Sequence, residues 1–149
     1  MKKDQRFIQG KFLLKNKDRY KGKLPIIYRS SLELSVFRWI DNNPNVAAWG
    51  VESVIIPYIS PVDKKAHRYF VDLYVILKEG KQTKKYLFEI KPYKQTLQPT
   101  YSSRKKQSTI LYETATYSIN QAKWKAAEEW CAQRDFQFII LTEKHIRSK

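Results

Sequence analysis

The sequence predicts an α/β fold whose elements follow the order α-β-β-β-α-β. Three observations support this prediction. A helical stripe of apolar residues follows Ser30, runs rich in β-branched and aromatic residues flank a hairpin signal at Gly80, and a second helical run precedes a last apolar segment. At 149 residues, 42% of them hydrophobic, the chain has about the length of one domain.

The first half of the chain predicts a helix followed by an antiparallel meander. The helix is expected over 30–41, with apolar residues at 32, 36, 37 and 40 and a stop at Asn42-Asn43-Pro44. A strand near 49–59 and a polar turn over 60–65 follow. A second strand is expected over 67–77, and Glu79-Gly80-Lys81 predicts the hairpin turn into a third strand over 85–90.

The second half predicts an irregular excursion, a helix and a strand. Residues 92–118 are basic, rich in hydroxyls and interleaved with tyrosines, with room for a short helix around 107–114. The second helix is expected over 119–134, where Ser118 and Gln121 fit a capping box, and the last strand over 136–141. Residues 1–24 are predicted to form a basic N-terminal arm, and residues 25–149 a single domain.

Composition favours an anionic partner. The chain has 29 Lys+Arg against 14 Asp+Glu and a formal net charge of +15, which favours a polyanion such as nucleic acid. Charge alone is equally compatible with a solvated basic surface or an RNA-binding scaffold. Cys131, His67 and His145 do not have zinc-site spacing. Because no apolar run approaches the ~18 residues of a membrane span and no signal peptide is evident, we expect a cytoplasmic protein without a membrane partner.

Three charged residues interrupt the predicted strands. Asp72 lies in YFVDLYVIL, and Glu89 and Lys91 lie in YLFEIKP. Glu89 and Lys91 share one face, about 6.6 Å apart along a strand, and counting from Gly80 places Asp72 opposite position 88 or 89. Two such carboxylates repel unless a cation lies between them, and oxygen ligands favour Mg²⁺ or Mn²⁺. Lys91 would then position the attacking water or help deprotonate it.

Two alternatives remain open for these charged residues. Glu89 and Lys91 could belong to an ordinary solvated strand face, although their apolar neighbours favour covered strands. Glu33 could close a capping box with Ser30, complete the metal site, or do both.

The order Glu33, Asp72, Glu89-x-Lys91 resembles the PD-(D/E)xK restriction-endonuclease-like superfamily, with Val71 in place of the proline that names the motif. A longer stretch of the sequence resembles the tailed-phage head-completion nuclease family. This stretch includes YFVDLYVI, YLFEIKPYKQ and NQAKWKAAEEWCAQRDFQFIILTE. It is also similar to the nuclease subunit of heteromeric transposases. The resemblance covers roughly residues 25–145.

This resemblance implies a restriction-endonuclease-like fold, in which helices flank a central mixed sheet. It implies that Glu33, Asp72 and Glu89 bind Mg²⁺ or Mn²⁺ and that Lys91 is the catalytic lysine. Gln121 matches a position where related nucleases carry a polar residue beside the site.

The function implied is a metal-dependent DNA endonuclease that trims or cuts DNA ends or branched DNA after packaging, during phage head completion. The implied partners are DNA and phage capsid, portal or neck proteins, and the implied location is the host cytoplasm during assembly or the virion. The alternative is a DNA-binding plug of the head or neck that keeps the nuclease fold without catalysis.

Cleavage would require a basic track for DNA phosphates and, for a frayed or single-stranded end, aromatic side chains that stack on bases. The candidates for the track are Arg29, His67, Arg68, Lys94, Arg104, Lys105 and Lys106. The candidates for stacking are Tyr93, Tyr101, Tyr112 and Tyr117.

Overall fold

The computed structural model describes residues 9–146, which contain eight strands and two α-helices. In chain order these are β1 (Gly10–Phe12), β2 (Ile26–Tyr28), α1 (Ser31–Asn42), β3 (Val46–Val51), β4 (Ile55–Ile59), β5 (Ala66–Phe70), β6 (Leu73–Glu79), β7 (Gln82–Ile90), α2 (Gln107–Ala132) and β8 (Gln137–Leu141). Short 3₁₀ helices lie at Lys17–Arg19 and Tyr93–Thr96.

The central sheet has four strands in the order β3-β6-β7-β8. β6 pairs antiparallel with both β3 and β7, and β7 pairs parallel with β8. The elements of this layer, taken with the two helices, follow the order α1-β3-β6-β7-α2-β8. The prediction of an α/β fold with a mixed sheet, an antiparallel meander and flanking helices is therefore confirmed.

Two predicted strands are each divided in the structure. The strand expected over 49–59 breaks at Glu52, whose φ of 51° ends β3, and the strand expected over 67–77 breaks at Val71 and Asp72. β4 and β5 pair with each other in a separate hairpin, in which Ile56 lies opposite Tyr69. Alternating apolar residues predict extended backbone, but they do not specify the partner strand.

The helix expected from 119 begins at Gln107 and runs for 26 residues without interruption. Ser118 and Gln121 lie inside it, so the predicted capping box between them is wrong. Lys106 occupies the N-cap position and makes no side-chain capping bond. Because residues 107–132 contain neither Gly nor Pro, nothing in the hydroxyl-rich first half breaks the helix.

The apolar core lies on both faces of the central sheet. Phe88 and Ile90 of β7 pack with Val36, Phe37 and Ile40 of α1 in one buried cluster. Leu87 packs with residues of α2 in the other, which also contains Tyr69. Because neighbouring residues of a strand point to opposite faces, α1 and α2 cover opposite sides of the sheet.

The first residues of the predicted arm, 1–8, lie outside the described part of the chain. From Gly10 onward the chain packs on the domain: β1 pairs with β2, and the Tyr20 ring lies 4.9 Å from the Trp49 ring. Within residues 9–146, no helix is long and apolar enough to cross a membrane.

Candidate active site

Asp72 occupies the short break between β5 and β6, where its backbone carbonyl accepts from the Glu52 N–H at 3.0 Å. Its Oδ2 accepts a hydrogen bond from the backbone N–H of Ile90 at 2.7 Å. The register places Leu73 opposite Phe88, so Asp72 faces the end of β7, close to the position expected from the hairpin. The aspartate is thereby held against the strand that carries Glu89.

Glu89 lies on the face of β7 that packs towards α2, and only 5% of its surface is exposed. Its Oε1 accepts a hydrogen bond from the Tyr69 hydroxyl at 2.6 Å. Its Oε2 lies 3.7 Å from Nζ of Lys91, the residue that follows the end of β7. The structure therefore brings Asp72, Glu89 and Lys91 together at one strand end.

The electrostatic environment disfavours a charged Asp72. Burial and then the negative charge of Glu89 raise the pKa of Asp72 well above its ordinary value, and Glu33 adds to the increase. The Ile90 N–H and the Lys91 ammonium act in the opposite direction. An ionised Asp72 is therefore unfavourable in the protein alone.

Burial also raises the pKa of Glu89, but more neighbouring groups stabilise its charged form. The hydrogen bond from Tyr69 lowers the pKa, as do the positive charges of Lys91 and Lys123 and a hydrogen bond with Asp72. Glu89 is buried and Asp72 is partly buried, and the pair offers carboxylate oxygens, a donor set suited to a hard divalent cation. The residues present thus fit Mg²⁺ or Mn²⁺ in their chemistry.

Glu33 caps α1. Its Oε1 accepts from the backbone N–H of Arg29 at 2.7 Å, and its own N–H donates to Oγ of Ser30 at 3.1 Å. The second bond confirms Ser30 as the N-cap, whereas the Glu33 carboxylate accepts from Arg29, one residue before the N-cap, and not from the Ser30 N–H of a standard capping box. Within residues 9–146, no three His, Cys, Asp or Glu residues are grouped closely enough to hold a metal ion, so the expected set of three carboxylates is not assembled. The role of Glu33 as a ligand stays a prediction.

Glu33→Gln separates capping from metal binding. A glutamine can still accept the Arg29 N–H, so we expect the free energy of unfolding to fall by less than about 0.5 kcal/mol. If Glu33 also contacts the ion, Mg²⁺ affinity should fall about tenfold or more. Chemical denaturation and titration calorimetry on the same preparation measure both effects.

The matched control for this variant is Ser30→Ala, which removes the other half of the cap. It should cost about 1 kcal/mol of stability and leave Mg²⁺ affinity unchanged. A Glu33→Gln protein that loses stability but binds Mg²⁺ like the wild type would restrict Glu33 to capping.

Gln121 is exposed on α2, where it lines a surface hollow with Trp124 and Ile140. In the described part of the chain, neither the hydrogen bond to Asp72 nor the one from Tyr69 to Glu89 involves it. The structure thus does not connect Gln121 with the carboxylate pair, and its proposed place beside the site stays a prediction.

Two residues near the site were not identified from the sequence. Tyr69 falls within a predicted strand and Lys123 within the second predicted helix, and neither was assigned a role. Lys123 lies next to Trp124 and four residues before Ala127, both buried, so the 3.6-residue periodicity could have shown that it lies on the packed face of α2, where it contacts the β4–β5 hairpin.

Most of the predicted phosphate-binding residues are exposed, but some of them already contact another side chain. Arg29, Lys94, Arg104 and Lys106 lie on the surface, and Arg68 lies over the Phe70 ring. Each of the two remaining candidates already has an acidic partner: His67 shares a hydrogen bond of 2.8 Å with Asp63, and Lys105 forms an ion pair of 2.8 Å with Glu113.

The four tyrosines proposed for base stacking also differ in exposure. Tyr101 and Tyr112 are 87% and 73% exposed, whereas Tyr117 is only partly exposed. Tyr93 lies under the Lys144 ammonium, 3.7 Å from its ring centroid. Tyr101 and Tyr112 thus have the most open rings of the four.

Comparison with known proteins shows similarity to nucleases. The sequence profile described as "TnsA-like endonuclease N terminal" matches residues 43–143, which include Asp72, Glu89 and Lys91. The chain is 36% identical over 143 residues to the protein named "Head completion nuclease" of Enterobacteria phage T4, an alignment that covers 93% of each chain. No solved structure gives a significant match. On the strength of the profile match and the T4 relative, the chain belongs to the TnsA-like endonuclease N-terminal family.

Proposed function

We propose that this protein is a metal-dependent DNA endonuclease that acts in phage head completion, where it trims or cuts DNA ends or branched DNA after packaging. The observation that carries the proposal is the pairing of Asp72 with the buried Glu89 and with Lys91 beside them at the end of β7. The name and similarity of the T4 relative support the role in head completion.

In the proposed mechanism, Asp72 and Glu89 hold Mg²⁺ or Mn²⁺, and Glu33 is the candidate third ligand. The bound ion would polarise a phosphate oxygen and lower the pKa of a water molecule. The Ile90 N–H and the Tyr69 hydroxyl fix the two carboxylates in place before substrate binds. Lys91, whose side chain is 27% exposed, can contact both Glu89 and an incoming phosphate or water.

DNA would be held mainly through its phosphates. The net charge of +15 supports such binding, and exposed cations follow the site along the chain, with Lys94 shortly after β7 and Arg104 and Lys106 before α2. Capsid, portal or neck proteins are the proposed assembly partners. The host cytoplasm during assembly, or the virion, is the proposed location.

The proposal is tested by incubating the purified protein with supercoiled plasmid, linear duplex and branched DNA. We expect strand cleavage with Mg²⁺ or Mn²⁺ and none with EDTA. Binding of DNA without cleavage in either metal would overturn the enzymatic proposal and support the alternative of a DNA-binding plug. Cleavage that persists in EDTA after metal removal would overturn the dependence on metal.

A further inference from the structure

The hydroxyl of Tyr69 is committed to a single partner. Tyr69 lies on β5 with 3% of its surface exposed, and its Oη donates to Oε1 of Glu89 at 2.6 Å. Burial and the charge of Glu89 raise the pKa of Tyr69, so the hydroxyl keeps its proton at neutral pH. One oxygen of Glu89 is therefore occupied by a buried donor.

Lys123 contacts the ring of the same tyrosine. Its ammonium lies 5.5 Å from the centroid of the Tyr69 ring and 6.0 Å from that of the Tyr58 ring. These distances are typical of cation–π contacts. Lys123 belongs to α2, whereas Tyr58 and Tyr69 lie on the β4–β5 hairpin. The lysine therefore connects the helix to the strand that positions Glu89.

We propose that Tyr69 is a positioning residue that reserves Oε2 of Glu89 for the metal ion, and that Lys123 holds the Tyr69 ring in the required place. This inference rests on the proposed function, because it concerns the same carboxylate pair. It goes further by assigning roles to two residues outside the motif and by predicting a preference between metal ions.

The predicted preference follows from the number of carboxylate oxygens that each ion accepts. Mg²⁺ is small and requires nearly ideal octahedral geometry, whereas Ca²⁺ readily accepts both oxygens of one carboxylate. Because Oε1 already accepts the Tyr69 hydroxyl with one of its lone pairs, it is the weaker donor to an ion, and Oε2 is the stronger one. This arrangement suits Mg²⁺ and works against two-oxygen binding of Ca²⁺.

Tyr69→Phe tests the assignment, because it keeps the ring and removes the donor. Titration calorimetry of the full chain without DNA measures the dissociation constants for Mg²⁺ and Ca²⁺. We expect Mg²⁺ binding to weaken about tenfold or more, as is typical when a hydrogen-bond partner of a ligand is lost. Ca²⁺ binding should be unchanged or tighter, so the ratio of the two constants shifts towards Ca²⁺.

Tyr58→Phe is the matched control. Tyr58 shares the contact with Lys123 but donates no hydrogen bond to Glu89 within residues 9–146, so its variant should keep the wild-type ratio. Lys123→Met should shift the ratio in the same direction as Tyr69→Phe but less. Lys123→Arg, which keeps a cation over the ring, should show the wild-type ratio.

The outcomes distinguish this inference from the proposed function. A wild-type protein that neither binds Mg²⁺ nor cleaves DNA would overturn the proposed function. If the wild type does both, an unchanged ratio in Tyr69→Phe, or equal weakening for both ions, would overturn the role of Tyr69 alone. If Tyr69→Phe does not fold, the ratio of the Mg²⁺ and Ca²⁺ dissociation constants is compared between Lys123→Met and Lys123→Arg. Equal ratios in these two variants would overturn the inference.

Discussion

Asp72→Asn is expected to abolish DNA cleavage and, at the same time, to stabilise the metal-free protein at neutral pH. The loss of cleavage follows because Asp72 is one of the two carboxylates proposed to hold the ion. We expect a decrease of at least about 100-fold in kcat/KM, a size typical of losing one charge-stabilising group in an active site.

The gain in stability has a separate cause. Burial and the neighbouring charge of Glu89 make an ionised Asp72 unfavourable, and an asparagine removes that charge. The asparagine Oδ1 can still accept the Ile90 N–H, so the hydrogen bond is preserved. We expect the Tm in EDTA to rise, by about 2–4 °C for each kcal/mol gained.

Asp72→Ala is the control for this effect. It removes the charge but leaves the Ile90 N–H without its acceptor, which costs about 1–3 kcal/mol when the donor is buried. The alanine protein should therefore be equally inactive but less stable than the asparagine protein. Equal Tm values for the two variants would contradict this account of Asp72.

The raised pKa of Asp72 determines the direction in which the stability of the metal-free protein changes with pH. Because the folded-state pKa of Asp72 is raised above its unfolded value, near 4, the folded protein binds the extra proton. The resulting stabilisation is fully present below the unfolded pKa and is lost as pH rises through the folded pKa. The stability difference between Asp72→Asn and the metal-free wild type should therefore grow as pH rises above about 4 towards neutrality. A difference that is constant across this range would contradict the raised pKa.

The sequence was sufficient to predict the carboxylate pair because the hairpin is local. Gly80 marks the turn, and counting outward from it places Asp72 near the end of β7 to within about one residue. Charged residues inside apolar strand runs then indicate a site, because burial of unpaired charge is costly. The N-cap bond from Glu33 N–H to Ser30 is equally local and was equally predictable, although the Glu33 carboxylate accepts from Arg29 and not from Ser30.

Features that depend on distant partners were not predictable in the same way. The hairpin of β4 and β5 can be recognised only when Ile56 is known to face Tyr69, which a pattern within either strand does not specify. The hydrogen bond from Tyr69 to Glu89 joins residues 20 positions apart. A strand tyrosine has the same sequence signature whether its hydroxyl faces solvent or a buried carboxylate.

Lys91→Met is expected to eliminate cleavage without eliminating metal binding. The backbone N–H of Lys91 donates to Leu141 O at 3.0 Å, and a methionine keeps this bond and most of the side-chain volume. Only the positive charge and the exchangeable proton are lost. We expect cleavage to decrease about 100- to 1,000-fold, within the range for loss of a group that transfers or positions a proton.

Mg²⁺ binding should persist in Lys91→Met, and should even tighten, because the variant removes a cation 3.7 Å from Glu89 that competes with the ion. Asp72→Asn should lose both binding and cleavage. Calorimetry and a cleavage assay on the two variants therefore separate the residues that hold the ion from the residue that acts on the water or phosphate. Wild-type cleavage by Lys91→Met would contradict the role of Lys91.

Lys91→Arg resolves what Lys91 contributes beyond its charge. A guanidinium keeps the positive charge but cannot give up its proton at any pH that the protein tolerates. If Lys91 helps deprotonate the attacking water, the arginine protein should cleave almost as slowly as Lys91→Met while still binding DNA. If cleavage by Lys91→Arg stays near the wild-type rate, the lysine supplies only positive charge, and the proton must leave the water by another route.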